Sequence, residues 1–381
     1  MEEDIELDYG AITIDNASLK GEGYRFYEGI LKQMRQFKDS PVQVIQTDIV
    51  HNEAMKHIGQ EISNTRSSIE RALRSANKQL KINPAQIDQA RELLSVDGGE
   101  LEIADQRLQK YYEWIGGKVI SSSDYADLSL LMELYFETEA PFETGKDKKN
   151  EFPDAIALLS VEGWAEANDL NVIAVSQDKG WTNYSENSER ITVVSSLSAA
   201  LEKFQPHNEV ANIIASIRED SLLDEPNHIL EQITSAISDS LDGADIDIEA
   251  SSSFYYEYGD VYATYHDHDF ETDENGLVKV NIIRITDELI TLKVTAIVEC
   301  VVHASFDFSV RDSIDKDYVG MGGASCEMES SYKTDVVITL AGDFSDGIDN
   351  IDAEEIEVME TLGYADFGEV EPDWRSYEDE L

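Results

Sequence analysis

At 381 residues and 41% hydrophobic content, the chain is long enough for one large domain or, better suited to its texture, two domains with cores of their own. A formal net charge of −50, most of the excess lying beyond Phe204, excludes loose general adhesion to nucleic acid, so any such substrate needs a local basic surface. Cys300 and Cys326 offer no metal spacing, no apolar run approaches the ~18 residues of a membrane span, and the acidic start MEEDIELDYG is unlike a signal peptide, so a reduced, cytoplasmic setting is the expectation.

Ala11 to Ile14 reads as a short strand ending at Asp15-Asn16. A helix is predicted over residues 24–37, with Phe26, Ile30, Leu31 and Met34 at helical spacing. A second strand covers residues 42–45, and Thr47 then suits a helix N-cap, its hydroxyl accepting backbone N–H groups. Val50 and Glu53, three apart, share a face of that helix. The helix is expected to continue to about Leu80, with Ile58, Ile62, Ile69, Leu73, Ala76 and Leu80 on one side and Arg71, Arg74, Lys78 and Lys81 on the other.

Pro84 opens a further helix, Gly98-Gly99 breaks it, and another helix is predicted over residues 101–114. A strand at residues 118–120 and a helix at 125–136 lead to a charged loop with Lys146, Lys148 and Lys149. The stretch FPDAIALLSVEGWAEANDLNVIAVSQDKGW, from Phe152 to Trp181, reads as helix, turn and buried strand. Pro153 suits a first helical turn, Asp154 follows it, and the apolar run Val172 to Val175 stops at Ser176 with Asp178 just beyond. One more strand (191–194) and a helix (197–204) complete an alternation that predicts a parallel α/β sheet flanked by helices.

After Pro206 the texture changes. Residues 207–241 read as helix interrupted at Pro226, and β-type runs follow at 254–265, 277–286, 289–308 and 332–340. Turn signals between them imply an antiparallel sheet, hence an α+β domain over residues 206–381 with an acidic tail from Gly342. His266 and His268 fall two apart in a β-type run and could share a face as metal ligands, although an exposed polar strand is the simpler account.

Asp15, Glu53, Asp154 and Asp178 hold comparable places, two at strand ends and two early in helices. Taken singly, each is more often a turn residue, a cap or a solvated charge. Right-handed crossovers would bring all four to one edge of the sheet. Converging carboxylates repel and are costly to bury unpaired; a hard divalent cation such as Mg²⁺ or Mn²⁺ resolves the conflict.

In order along the chain, these stretches resemble the motifs of the PIN-domain nuclease family. AITIDN resembles its strand ending in Asp (Asp15), and TDIVHNE its T-x-x-V-x-x-E helix (Thr47, Val50, Glu53). FPDAIALLSVEGWA resembles its Asp opening an apolar helix (Asp154), and VIAVSQDKGW its strand followed by Ser and a late Asp (Ser176, Asp178). The resemblance covers residues 12–204 and is to the bacterial type, here with a helical insertion over about 58–140 and the acidic α+β domain after residue 205. It departs from the family at Asn16, where Thr is usual, and in the long span before the third motif.

The resemblance implies a PIN-like parallel sheet over residues 1–205 and a metal-dependent endonuclease, most often acting on RNA. It implies that Asp15, Glu53, Asp154 and Asp178 hold Mg²⁺ or Mn²⁺ and carry the catalysis. Arg71, Arg74, Lys78 and Lys81, with Lys149 and Lys179, are the candidate contacts to substrate phosphate, set against a plain solvated helix face. A regulated toxin or defence effector, a DNA-directed structure-specific nuclease and a silent scaffold binding RNA or protein all stay open. The acidic second domain suits a regulatory protein partner or contact with the chain's own cationic stripe.

Overall fold

The structure is a computed structural model and describes residues 9–143, 148–205, 217, 222–223, 227–273, 276–286, 289–312, 317–342 and 351–373. It divides into two units, Met1–Phe204 and Gln205–Leu381.

In the first unit, β1 (Ala11–Ile14), β2 (Gln43–Thr47), β3 (Lys118–Ile120), β4 (Val172–Val175) and β5 (Ile191–Val194) form a parallel sheet in the order β3-β2-β1-β4-β5. β1 and β4 are buried along their whole length, as continuous apolar runs between two helical layers should be. The strand order reverses between them, with Ile14 opposite Val175. Loops leaving the carboxyl ends of two such strands part in opposite directions, and the crevice left at that edge is where open α/β sheets bind ligands.

Residues 24–37 do not form the single helix that their spacing predicts. α1 (Asn16–Gly21) is followed by left-handed backbone at Gly23 (φ +61°), Tyr24 (φ +51°) and Gly29 (φ +53°), then α2 (Gly29–Gln33) and a 3₁₀ turn at Met34–Phe37. Positive φ interrupts a right-handed helix, yet Phe26, Ile30, Leu31 and Met34 are all buried, so the apolar spacing still marks the core.

α3 (Asp48–Leu80) is one helix of 33 residues, capped by the Thr47 hydroxyl on the Val50 N–H at 3.2 Å. Its first half packs into the domain, with Val50, Ala54, Ile58 and Gly59 buried; the expected apolar face then runs out, and Leu80 is 72% exposed. α4 (Pro84–Leu94) follows, and α5 (Glu100–Ile115) packs against α3, fastened by Arg66 to Glu100 (3.0 Å) and His51 to Asp105 (2.9 Å). Residues 125–136 are likewise divided, into α6 (Ser122–Tyr125) and α7 (Leu128–Glu137), because Asp127 caps the second helix by accepting from the Ser129 and Leu130 N–H groups.

α8 (Phe152–Asn168) carries Pro153 and Asp154 in its first turn and lies so close to α6 that a Cβ on Gly163 would stand 2.3 Å from the Tyr125 carbonyl oxygen. α9 (Lys179–Ser185) and α10 (Leu197–Glu202) complete the unit. No helix among the described residues is long and apolar enough to cross a membrane.

The second unit is an antiparallel sheet with a helix against it. β7 (Tyr255–Phe270), β9 (Leu289–Arg311), β10 (Tyr318–Gly342) and β11 (Ile351–Val358) pair in the order β11-β10-β9-β7, and β8 (Asn281–Ile285) also pairs with β9. Alternate residues of β9, from Leu292 through Val298 to Phe308, are buried, while Glu299 and Asp307 on the other face are exposed. α11 (His228–Leu241) buries Ile229, Ile233 and Ile237 in the same core as Leu292, Val294 and Val336. Of the helical stretch expected at 207–241, residues 207–216, 218–221 and 224–226 lie outside the described residues.

The acidic tail contains structure that its composition conceals. β11 falls within it, and β12 (Tyr364–Glu369) pairs in parallel with β6 (Asp247–Ser251). The shared face expected for His266 and His268 does not form. A bulge between Tyr265 and Asp267 shifts the alternation, leaving His266 exposed and turning His268 inward, where its Nδ1 meets the Tyr265 hydroxyl at 2.7 Å.

Candidate functional site

The site is built where the sheet order reverses. Asp15 follows β1 and is only 4% exposed, yet its carboxylate is supplied with donors: the Ser18 N–H to Oδ1 at 2.6 Å and the Ser176 hydroxyl to Oδ2 at 2.5 Å. Ser176 in turn accepts the Asp178 N–H at 3.0 Å. The end of β4 therefore holds both the strand-end acid of β1 and the loop that bears the next acid. Gln46, buried on β2, steadies the same edge by donating to the Ile14 carbonyl at 2.7 Å while its own carbonyl accepts the Thr47 N–H at 3.1 Å.

Glu53, two turns into α3, and Asp154, in the first turn of α8, both come within electrostatic reach of Asp15. Burial, and then the charges of Asp154 and Asp15, push the Glu53 carboxyl above its usual range, with Lys56 opposing. Burial also raises Asp154; the Trp181 indole opposes this, while Asp178, Asp15 and Glu151 add to it. Four segments distant in sequence thus bring their acids toward one sheet edge, where Glu53 feels Asp154 and Asp15, and Asp154 feels Asp178 and Asp15. Asp178 is exposed and caps α9, its Oδ1 accepting from the Gly180 N–H at 2.6 Å and the Trp181 N–H at 3.3 Å.

Several neighbours of these acids carry no obvious sequence signal. The Trp181 indole N–H donates to Asp154 Oδ1 at 3.0 Å. Tyr24 donates its hydroxyl to Asn16 Oδ1 at 2.9 Å and is pushed up to about 12 by burial and by the charges of Glu53 and Glu61. Asn16, the departure from the family pattern, therefore holds a tyrosine that lies against the second acid. Lys56 is the exception that spacing would have found, since it stands three residues beyond Glu53 on the same helix. Asp48, opening α3, accepts both the N–H and the hydroxyl of Ser122 at 3.1 Å.

The candidate phosphate contacts are spread widely. Arg71, Arg74, Lys78 and Lys81 are exposed, and a hollow of about 370 Å³ lies against Arg66, Arg71 and Arg74. At the rise of an α-helix, Arg71 stands about 27 Å and Lys78 about 38 Å along α3 from Glu53. The stripe and the acids are therefore separate regions of one helix. The insertion also answers part of its own charge, since Glu70 pairs with Arg91 at 2.7 Å. Lys179 is exposed beside Asp178 and Lys149 is exposed just before α8; Lys146 and the side chain of Lys148 lie outside the described residues.

An all-oxygen set of carboxylates suits a hard divalent cation in kind. Among the described residues, no three acidic, histidine or cysteine side chains stand together as a ready-made metal cage. Asp15, Asp154 and Asp178 are each held by donors, whereas the Glu53 carboxylate takes no hydrogen bond from the described residues. Another hollow, of about 540 Å³ against Glu162 and Tyr184, is lined by none of the four acids.

Among curated proteins and among solved structures, nothing matches this chain. The PIN domain family matches residues 12–181, a span that contains most of β1, the capped start of α3 through Glu53, the opening of α8 and the loop after β4. The first unit of the chain is a PIN domain, of a family whose members are generally metal-dependent nucleases.

Proposed function

We propose that this domain is a divalent-metal-dependent endoribonuclease in which Asp15, Glu53, Asp154 and Asp178 hold Mg²⁺ or Mn²⁺. The gathering of four acids from four separate segments at the switch point of the sheet carries the reading. A bound ion would supply an activated water and neutralise charge on the scissile phosphate. The chain's own residues do the rest. The Ser176 hydroxyl and the Ser18 N–H hold the Asp15 carboxylate in a buried place, and the α9 N-terminus orients Asp178. Glu53 and Asp154, mutually repelled, gain most from a cation. Lys56, which acts on Glu53, and Lys179, next to Asp178, are cations that could meet a phosphate, and the α3 stripe is available to flanking backbone.

Matched labelled RNA and DNA strands, incubated with the purified protein and Mn²⁺, Mg²⁺ or EDTA, test this. Cleavage of RNA that EDTA stops and Mn²⁺ restores is the expected result. Cleavage confined to DNA would redirect the substrate assignment, and cleavage indifferent to EDTA would remove the metal from the reaction.

A further inference from the structure

We propose that Trp181 is a positioning residue that sets the spacing of two of the four acids. Its backbone N–H is given to Asp178 Oδ1 at 3.3 Å and its indole N–H to Asp154 Oδ1 at 3.0 Å. Among the described residues, the other bridge between two of the acids is Ser176, which gives its hydroxyl to Asp15 and takes the Asp178 N–H.

Trp181 is 1% exposed, and its one polar side-chain atom is a donor that must find an acceptor once water is excluded. A backbone carbonyl would serve packing equally well. Here the acceptor is a half-buried carboxylate, and a bond to an ionised acceptor is stronger than one to a neutral acceptor. The ring is rigid and held on all sides, so the donor has a fixed position, and Asp154 Oδ1 is fixed with it. Asp154 Oδ2 takes no hydrogen bond from the described residues and is left for a ligand.

The backbone around Trp181 is equally constrained. A Cβ at Gly180 would stand 2.9 Å from Asp178 Oδ1 and 3.0 Å from the Pro141 carbonyl oxygen, so a side chain there would press on the carboxylate that takes both N–H groups. Gly180 thus keeps the α9 N-terminus against Asp178, and Trp181 extends that hold across to α8.

The positioning role rests on the metal-nuclease reading, and one set of variants separates the two. Mn²⁺ affinity is measured by calorimetry on wild type, Trp181→Phe, Asp154→Ala and the double variant, with kcat and KM on RNA for the first two. Trp181→Phe keeps most of the ring and removes only the indole donor. Loss of an outer partner of a metal ligand typically weakens binding ~10–100-fold. We expect a loss in that range for Mn²⁺, a lower kcat with KM little changed, and no further loss when Trp181→Phe is added to Asp154→Ala. Wild-type Mn²⁺ affinity in Trp181→Phe would overturn the positioning role alone. An equal loss in both backgrounds would also overturn it, because the ring would then act through bulk. Wild type that neither binds Mn²⁺ nor cuts RNA would overturn both readings. Should Trp181→Phe fail to fold, Gly180→Ala moves the same donors with the ring in place; unchanged Mn²⁺ affinity there would overturn the proposal.

Discussion

The Ser176 hydroxyl donates to Asp15 Oδ2 at 2.5 Å, joining the ends of two parallel neighbours that lie 161 positions apart in sequence. Asp15 is buried, so this bond gives its carboxylate a donor where water does not reach. Ser176→Ala removes it and also orphans the Asp178 N–H. A hydrogen bond to a buried charged group is worth about 1.5–3 kcal/mol, and we expect a stability loss of that size in urea denaturation at neutral pH. Ser176→Thr, which keeps the hydroxyl, should restore most of it. An alanine variant as stable as wild type would show that Asp15 is satisfied by Ser18 alone.

Asp154→Asn keeps shape and removes charge at the acid that feels both Asp15 and Asp178. Cleavage should fall further than the ~10–100-fold typical of an outer partner of a metal ligand, with unfolding near wild type. Glu53→Gln should behave alike. Cleavage at the wild-type rate by either folded variant would exclude that residue from the reaction.

The α3 stripe is tested by salt. Arg71→Ala with Arg74→Ala should weaken binding to all RNA sequences alike. The log affinity–log salt slope should become shallower by about one for each phosphate that the variant no longer neutralises. Turnover of bound RNA should change little, because the stripe begins about 27 Å along the helix from Glu53. Fluorescence titrations at several salt concentrations measure this. Unchanged affinity and slope would make the stripe a solvated helix face.

In the second unit, burial pushes His268 below its ordinary value of 6.5, against the charges of Asp267 and Asp269. Between the folded and unfolded values the unfolded chain binds more protons, so stability rises with pH. The contribution is complete above about 6.5 and is lost as pH falls from there toward the folded value. Urea midpoints measured from about pH 7.5 to 5 should therefore drop more in wild type than in His268→Gln. Parallel pH curves for the two proteins would show that His268 titrates as it does in the unfolded chain.

Much of the first unit is legible in its sequence because the deciding signals are local. AITI and VIAV are continuous apolar runs, Thr47 caps the helix it precedes, and Pro153 opens α8, so strands, helix starts and the acids beside them can be read within a few residues of each other. Local spacing also misleads where backbone chirality intervenes. Residues 24–37 carry a helical apolar pattern, but left-handed conformations at Gly23, Tyr24 and Gly29 divide it, and Asp127 divides 125–136 by capping. In the second unit one bulge after Tyr265 sends His266 and His268 to different surroundings.

What the sequence by itself determined is therefore the class of most elements of the first unit and the acids at their ends, since apolar period, caps and proline act over one or two turns. The tertiary structure alone decided which side chains meet. Trp181 reaches Asp154 across 27 positions, Ser176 reaches Asp15 across 161, and Glu53 feels Asp154 from a different helix. Such pairings depend on how strands order and helices pack, and so on burial and desolvation that exist only once distant segments have come together.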